Sequence, residues 1–188
     1  MIPLEKVMVR GTALTPLEPF VRGRLGDEAW ETLLASMPTE HAEILRSKPL
    51  AMSWYPFAMA WEFLPQLLRL ADGDESILRE LAHAGLEYSI RHIFKAIFKI
   101  GSPGFMVARS DMIWRRYYST GSMTATVEGN AARVAVHDFP HLPPLYDKVI
   151  LHSVEATIIK AGGEITRARR VPSSTDASAS CAFEYEWR

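Results

Sequence analysis

Apolar residues along the chain change their period once, near Gly121. Before that point they recur at helical spacing. After it, two stretches alternate residue by residue, as half-buried strands do. Val7–Leu14 predicts a short strand, followed by helices over Thr15–Leu25, Asp27–Met37 (capped near Asp27) and Thr39–Lys48. Pro49–Tyr55 reads as a connector. Pro56 reads as the first position of a helix, where its fixed φ and missing N–H are tolerated. That helix runs toward Ala71, with a kink expected at Pro65. In ADGDES, Asp72 or Asp74 can cap the next helix, which extends to about Ile100 and stops at Gly101. Ser102-Pro103 then supplies an N-cap and a first helical residue for a helix reaching about Tyr118.

Beyond Gly121, Met123, Ala125 and Val127 alternate with polar residues. Glu128-Gly129-Asn130 supplies a turn, and Ala132, Val134 and Val136 resume the alternation. A proline-rich connector, Phe139–Pro144, leads to a helix over Leu145–Ala161, stopped by Gly162-Gly163. Ile165–Val171 and Ala179–Trp187 form a second hairpin around the soft loop PSSTDASAS. The expected fold is α+β: a helical N-terminal half packed on a small antiparallel sheet of two β-hairpins separated by a helix. A chain of 188 residues with 48% hydrophobic content suits a single domain, residues 1–188.

Charge narrows the partners. Lys+Arg is 21 against 22 Asp+Glu, so no global basic field attracts nucleic acid or an anionic membrane. Met52–Leu70 is interrupted by Pro56, Glu62, Pro65, Gln66 and Arg69, and reads as a buried helix rather than a membrane span. Cys181 is the single cysteine, which excludes an intrachain disulfide and a multi-cysteine zinc site. Together with an N-terminus lacking the apolar run of a signal peptide, this points to the cytoplasm.

Candidate chemistry is sparse. On the wheel of YSIRHIFKAIFKIG, Leu86, Ile90, Ile93, Phe94 and Ile97 share one face, while His92, Lys95 and Lys99 point away. His92 therefore reads as part of a polar stripe rather than a haem or metal ligand. His137, Asp138, His141, His152 and Glu155 are irregularly spaced and match no metal motif. Neither a nucleophile elbow nor a phosphate loop is present, so no enzyme is indicated. In the second hairpin Glu184 and Glu186 should oppose Arg167 and Arg169, leaving Cys181 as a buried hydrophobe.

Aromatic residues are the more suggestive signal. Trp54, Tyr55, Trp61, Phe94, Phe98, Trp114 and Tyr118 are candidate walls of an apolar pocket for a small apolar or aromatic ligand. That pocket is expected between the helix around Trp54–Phe63, the helix Tyr88–Ile100 and the sheet, with no cofactor and no metal. The alternative is a dimerising or partner-binding module. Leu145, Val149 and Ala156 lie on one side of their helix, and Ile150, Val154 and Ile158 on another. A haem sensor using His92 is the third reading.

Three stretches, SWYPFAMAWEFL, GSPGFMVARSDMIWRRYYSTGSM and CAFEYEW, resemble an uncharacterised family abundant in myxobacteria. That family is similar to 4-vinyl-reductase-type domains and, more distantly, to haem-NO-binding domains and the subunits of Golgi-transport tethering complexes. The resemblance covers most of the chain and implies a helical half on a small antiparallel sheet. It also implies small-molecule sensing or protein association, often as dimers. Haem-NO-binding domains hold haem propionates with Tyr-x-Ser-x-Arg. Here Tyr117-Tyr118-Ser119-Thr120-Gly121 stands in a comparable place, with glycine where that motif has arginine. Phenol-sensing relatives bind zinc through several cysteines, against one in this chain. The resemblance thus implies a binding module without either cofactor.

Overall fold

A computed structural model describes residues 6–94, 101–139, 142, 143, 145–172 and 179–188, with only the backbone of 93 and 94. Expectations that fall on Phe98, His141 or the centre of the PSSTDASAS loop lie outside the described residues.

Both predicted hairpins form. The first joins β3 (Ser122–Glu128) to β4 (Ala131–His137), and the second joins β5 (Ile165–Val171) to β6 (Ala179–Trp187). Strand order is β3-β4-β6-β5, antiparallel throughout. Val134, Val136, Cys181, Phe183, Tyr185 and Trp187 are buried. On the outer face Arg167 opposes Glu186 and Arg169 opposes Glu184, with N···O distances of 3.2 and 2.7 Å. Such pairs add a few tenths of a kcal/mol each, roughly 0.2–1 at most.

The helical half departs from expectation where short elements carry too few residues to show a period. Over Val7–Leu14 only β1 (Met8–Arg10) is a strand, and Gly11–Leu14 is helical (α1). Gly11 is needed there, because a Cβ would lie 2.1 Å from the Leu50 carbonyl oxygen. The chain continues through α2 (Leu17–Leu25), α3 (Asp27–Ala35) and α4 (Thr39–Arg46). Residues Trp54–Pro56 are not a connector and a helix start. They form β2, paired with β1 so that Arg10 faces Trp54 and Met8 faces Pro56. Proline is tolerated at the end of a two-stranded ribbon, where its nitrogen has no ladder bond to donate.

Helix α5 (Met59–Leu70) carries Pro65 in its interior without ending there. The N-cap of α6 (Ser76–Ser89) is Glu75 rather than Asp72 or Asp74, although the Asp74 carboxylate accepts from the Ser76 N–H at 2.9 Å. After Ser89 the backbone widens into a π-helix over Ile90–Phe94. The helix expected from Pro103 to Tyr118 is two helices, α7 (Pro103–Val107) and α8 (Ser110–Tyr117). Ser102 caps α7 as expected. The break between them is closed by the Ser110 hydroxyl, which donates to the Val107 carbonyl at 2.6 Å.

Helix α9 (Tyr146–Lys160) lies between the layers, against α6 and α7 on one side and β5 and β6 on the other. Both of its apolar sides are thus covered within the chain, which removes the ground for expecting a partner on this helix. Glu155 is buried in its seam with α6, between Arg79 at 2.5 Å and His152 Nδ1 at 2.8 Å. No described helix is long and apolar enough to cross a membrane.

Candidate ligand cavity

Packing of α1, α2, α5, α6, α8 and α9 leaves a cavity of about 210 Å³. Leu14, Leu17, Phe63, Leu64, Leu81 and Val154 supply apolar walls. The space itself comes from residues that lack bulk. Ala60, Ala82 and Gly85 face it, and a Cβ on Gly85 would meet nothing within 4 Å. Among the described wall residues there is no histidine, cysteine, lysine, arginine or carboxylate.

One end is an aromatic cluster. The Phe57 ring makes edge contacts with Tyr118, Phe139 and Tyr146 at centroid distances of 5.8, 5.2 and 4.8 Å. Trp114 lies 4.1 Å from Tyr118, and its indole N–H donates to the Thr120 carbonyl at 3.0 Å. The hydroxyls of Tyr118 and Tyr146 are hydrogen-bonded at 2.5 Å. Burial pushes the Tyr146 phenol up to about 12 and the Tyr118 phenol well above its ordinary range. Both are therefore neutral near pH 7.

Of the candidate pocket residues, Trp114 and Tyr118 lie on the cavity wall. Trp54, Tyr55 and Trp61 do not. Trp54 sits at the surface, 37% exposed, beneath the Arg10 guanidinium at 3.9 Å. Tyr55 turns its hydroxyl to accept from the Leu50 N–H at 2.9 Å. Trp61 is half-buried, and its indole nitrogen has no hydrogen-bond partner among the described residues. Phe98 and the Phe94 side chain are outside the described residues. The sheet contributes only Met123 to the described wall, α8 and α9 also contribute to it, and the side chains of residues 93–100 in the expected Tyr88–Ile100 wall lie outside the described residues.

Nor do the described histidines converge on the cavity. His92 is exposed, stacked on Tyr88, with Nδ1 2.7 Å from the Tyr88 carbonyl oxygen. His137 bonds Thr124 and His152 bonds Glu155. No group of acidic, histidine or cysteine side chains among the described residues could hold a metal. Sequence reasoning missed Phe57 and Tyr146 as wall residues, and the small trio Ala60, Ala82 and Gly85. The available signal was the pair Ala82 and Gly85, three residues apart between Leu81 and Leu86 on one helix face.

Several solved structures share this fold. An H-NOX protein from K. algicida, solved as Fe(II) unliganded, is 12% identical, with a TM-score of 0.73 over 95% of this chain and 96% of that one. An H-NOX protein from S. oneidensis in the Fe(II)NO ligation state is 10% identical, with a TM-score of 0.71 over 95% and 99%. The H-NOX domain from Shewanella oneidensis in the Fe(II)CO ligation state is 13% identical, with a TM-score of 0.69 over 95% and 98%. Identities this low establish the fold alone. No protein-family model and no curated protein matches the chain. The resemblance to haem-NO-binding domains therefore holds at the level of fold, and no match supports the myxobacterial family.

The described residues do not fit a haem. The described wall offers neither an imidazole for iron nor a cation for propionates. At the place of the motif arginine, Gly121 has a φ of +72°, and a Cβ there would lie 3.0 Å from both the His137 carbonyl oxygen and the Phe139 ring. Ser119 is held by β1, its hydroxyl accepting from the Met8 N–H at 2.9 Å. Tyr117 is bonded to Ser89. A cavity of about 150 Å³ accommodates benzene, so 210 Å³ is room for one substituted ring rather than a porphyrin.

Proposed function

We propose that this chain is a non-catalytic binding module that takes one small, neutral, largely apolar molecule, without haem, in the cavity between α5, α6, α8 and α9. The observation that carries the reading is a single-ring volume whose described wall is uncharged. An ion would lose its hydration there and find no described counter-charge. The wall is shared by several helices, so an occupant that prefers one packing of them shifts the population toward it. A partner can then read that packing, which is how a binding domain serves as a sensor. Ligand identity comes from native mass spectrometry of freshly purified protein against a denatured control. A mass excess of one small molecule, lost on denaturation, is expected. Titration with haemin should yield no Soret band of ligated iron, and a stoichiometric ligated spectrum would overturn the non-haem reading.

A second reading is association with a partner protein or another copy. Leu50 and Met52 are 70% and 68% exposed, beside Trp54. Sedimentation at micromolar concentration tests self-association. A dimer that persists in Leu50→Ser/Met52→Ser would remove this surface from consideration.

A further inference from the structure

We infer that the Tyr118–Tyr146 pair presents the cavity with one unpaired O–H, so that the ligand carries one hydrogen-bond acceptor, a carbonyl, ether or hydroxyl oxygen, on its ring or short chain. This rests on the binding role proposed above and specifies what the cavity selects.

Four aliphatic hydroxyls donate to backbone. Thr12 donates to the Ala51 carbonyl and Ser110 to that of Val107. Ser153 donates to the Val149 carbonyl and Thr157 to that of Ser153. The Trp114 N–H is held by Thr120. At Tyr117 the partner is Ser89, whose own proton goes to the Gly85 carbonyl at 2.8 Å. The Ser89 oxygen can therefore only accept, and the Tyr117 proton is used. The Tyr118–Tyr146 contact differs from all of these. It joins two phenols, each with one proton, and their mutual bond uses only one. Among the described residues neither tyrosine hydroxyl has another hydrogen-bond partner.

A donor left without an acceptor in an apolar setting is costly, and an occupant that offers an oxygen removes that cost. The pair stands at the aromatic end of the cavity. A flat ring can pack against Phe57 and Trp114 while its substituent meets the hydroxyls.

Acetophenone and α-methylstyrene make the test, since a CH₂ group replaces the carbonyl oxygen between otherwise matched molecules. Calorimetry gives the affinity ratio, ketone over hydrocarbon, in the wild type, Tyr118→Phe, Tyr146→Phe and the double variant. Each single variant still holds one unpaired O–H and should keep most of the wild-type ratio. The double variant holds none, and its ratio should fall about tenfold. An unchanged ratio in the double variant overturns the acceptor inference and leaves the cavity reading intact. Failure of both probes to bind the wild type overturns the cavity reading, and this one with it. Infrared spectra of acetophenone bound to the wild type test the same point without any substitution. The carbonyl band should lie below its position in hexane, and coincidence with hexane refutes the hydrogen bond.

Discussion

Gly85→Leu should stabilise the protein and close it to ligand at the same time. Gly85 lies on the face of α6 that carries Leu81, Ala82 and Leu86, and its missing side chain borders open space. Replacing an interior helical glycine recovers about 0.8–1 kcal/mol of helix propensity. Cavity volume costs about 24 cal/mol per Å³, so the 210 Å³ present corresponds to about 5 kcal/mol if filled completely. A leucine filling about half recovers about 2.5 kcal/mol, less about 1 for its lost rotamer freedom and about 1 for local crowding. The net gain is about 1–2 kcal/mol, or a rise in Tm of about 2–8 °C for a chain of this size. Scanning calorimetry and acetophenone binding measure the two halves. Gly85→Ala is the control, since it gains the helix propensity while leaving most of the cavity open and the ligand bound. A Gly85→Leu protein that melts lower than wild type, or binds acetophenone unchanged, would refute the placement of the cavity.

Gly121→Ala should cost more than Gly129→Ala. Both glycines have positive φ, which costs an L-residue about 1–2 kcal/mol, but only at Gly121 would the new Cβ press on a backbone carbonyl and a ring; equal urea midpoints for the two variants would contradict this. Acidification should destabilise in two steps. Burial, aided by the nearby Arg79, pushes the His83 imidazole below its ordinary 6.5 against the weaker pull of Glu155 and Glu87, so its contribution is present above that pH and is lost as pH falls through the folded value. Burial alone would raise the Glu155 carboxyl, but its hydrogen bond to His152 and the charge of Arg79 hold it below 4.5, so its contribution is lost at lower pH still. Melting temperatures of His83→Gln should lack the first decline and keep the second, and an unchanged profile would show that His83 is not the titrating group. Cys181 is buried, with its thiol pushed up to about 12, so maleimide labelling should require denaturant; native labelling at the rate of a free thiol would contradict its burial.

Long periods were legible in the sequence and short elements were not. The hairpins and α9 appeared within a residue or two, because strict alternation and repeated helical spacing each have a single structural solution. Strands β1 and β2 are three residues each, too short for a period, and Pro56 imitated a helix start. The break between α7 and α8, where the Ser110 hydroxyl bonds back to Val107, is not signalled by composition. The cavity was harder still. Large aromatics near one another suggested a pocket, yet most of them fill space. Empty volume depends on what Ala60, Ala82 and Gly85 leave unfilled, and on neighbours from remote parts of the chain. Trp114 and Tyr118 reach the wall because they stand on the inner side of α8 and its end. Trp54 is equally aromatic, but β2 carries it to the surface.

The position of β6 has a consequence for synthesis. It follows the other three strands of its sheet in sequence, yet it lies inside that sheet, paired with β4 on one edge and β5 on the other. On the ribosome the first hairpin emerges with the free edge of β4 exposed, and it stays exposed while some forty further residues are made. Val134 and Val136, buried at 0% in the finished sheet, lie along that strand. Unpaired edges of this kind recruit foreign strands. The nascent protein is therefore most vulnerable to aggregation until β6 emerges, and the same strand both completes the sheet and ends the hazard.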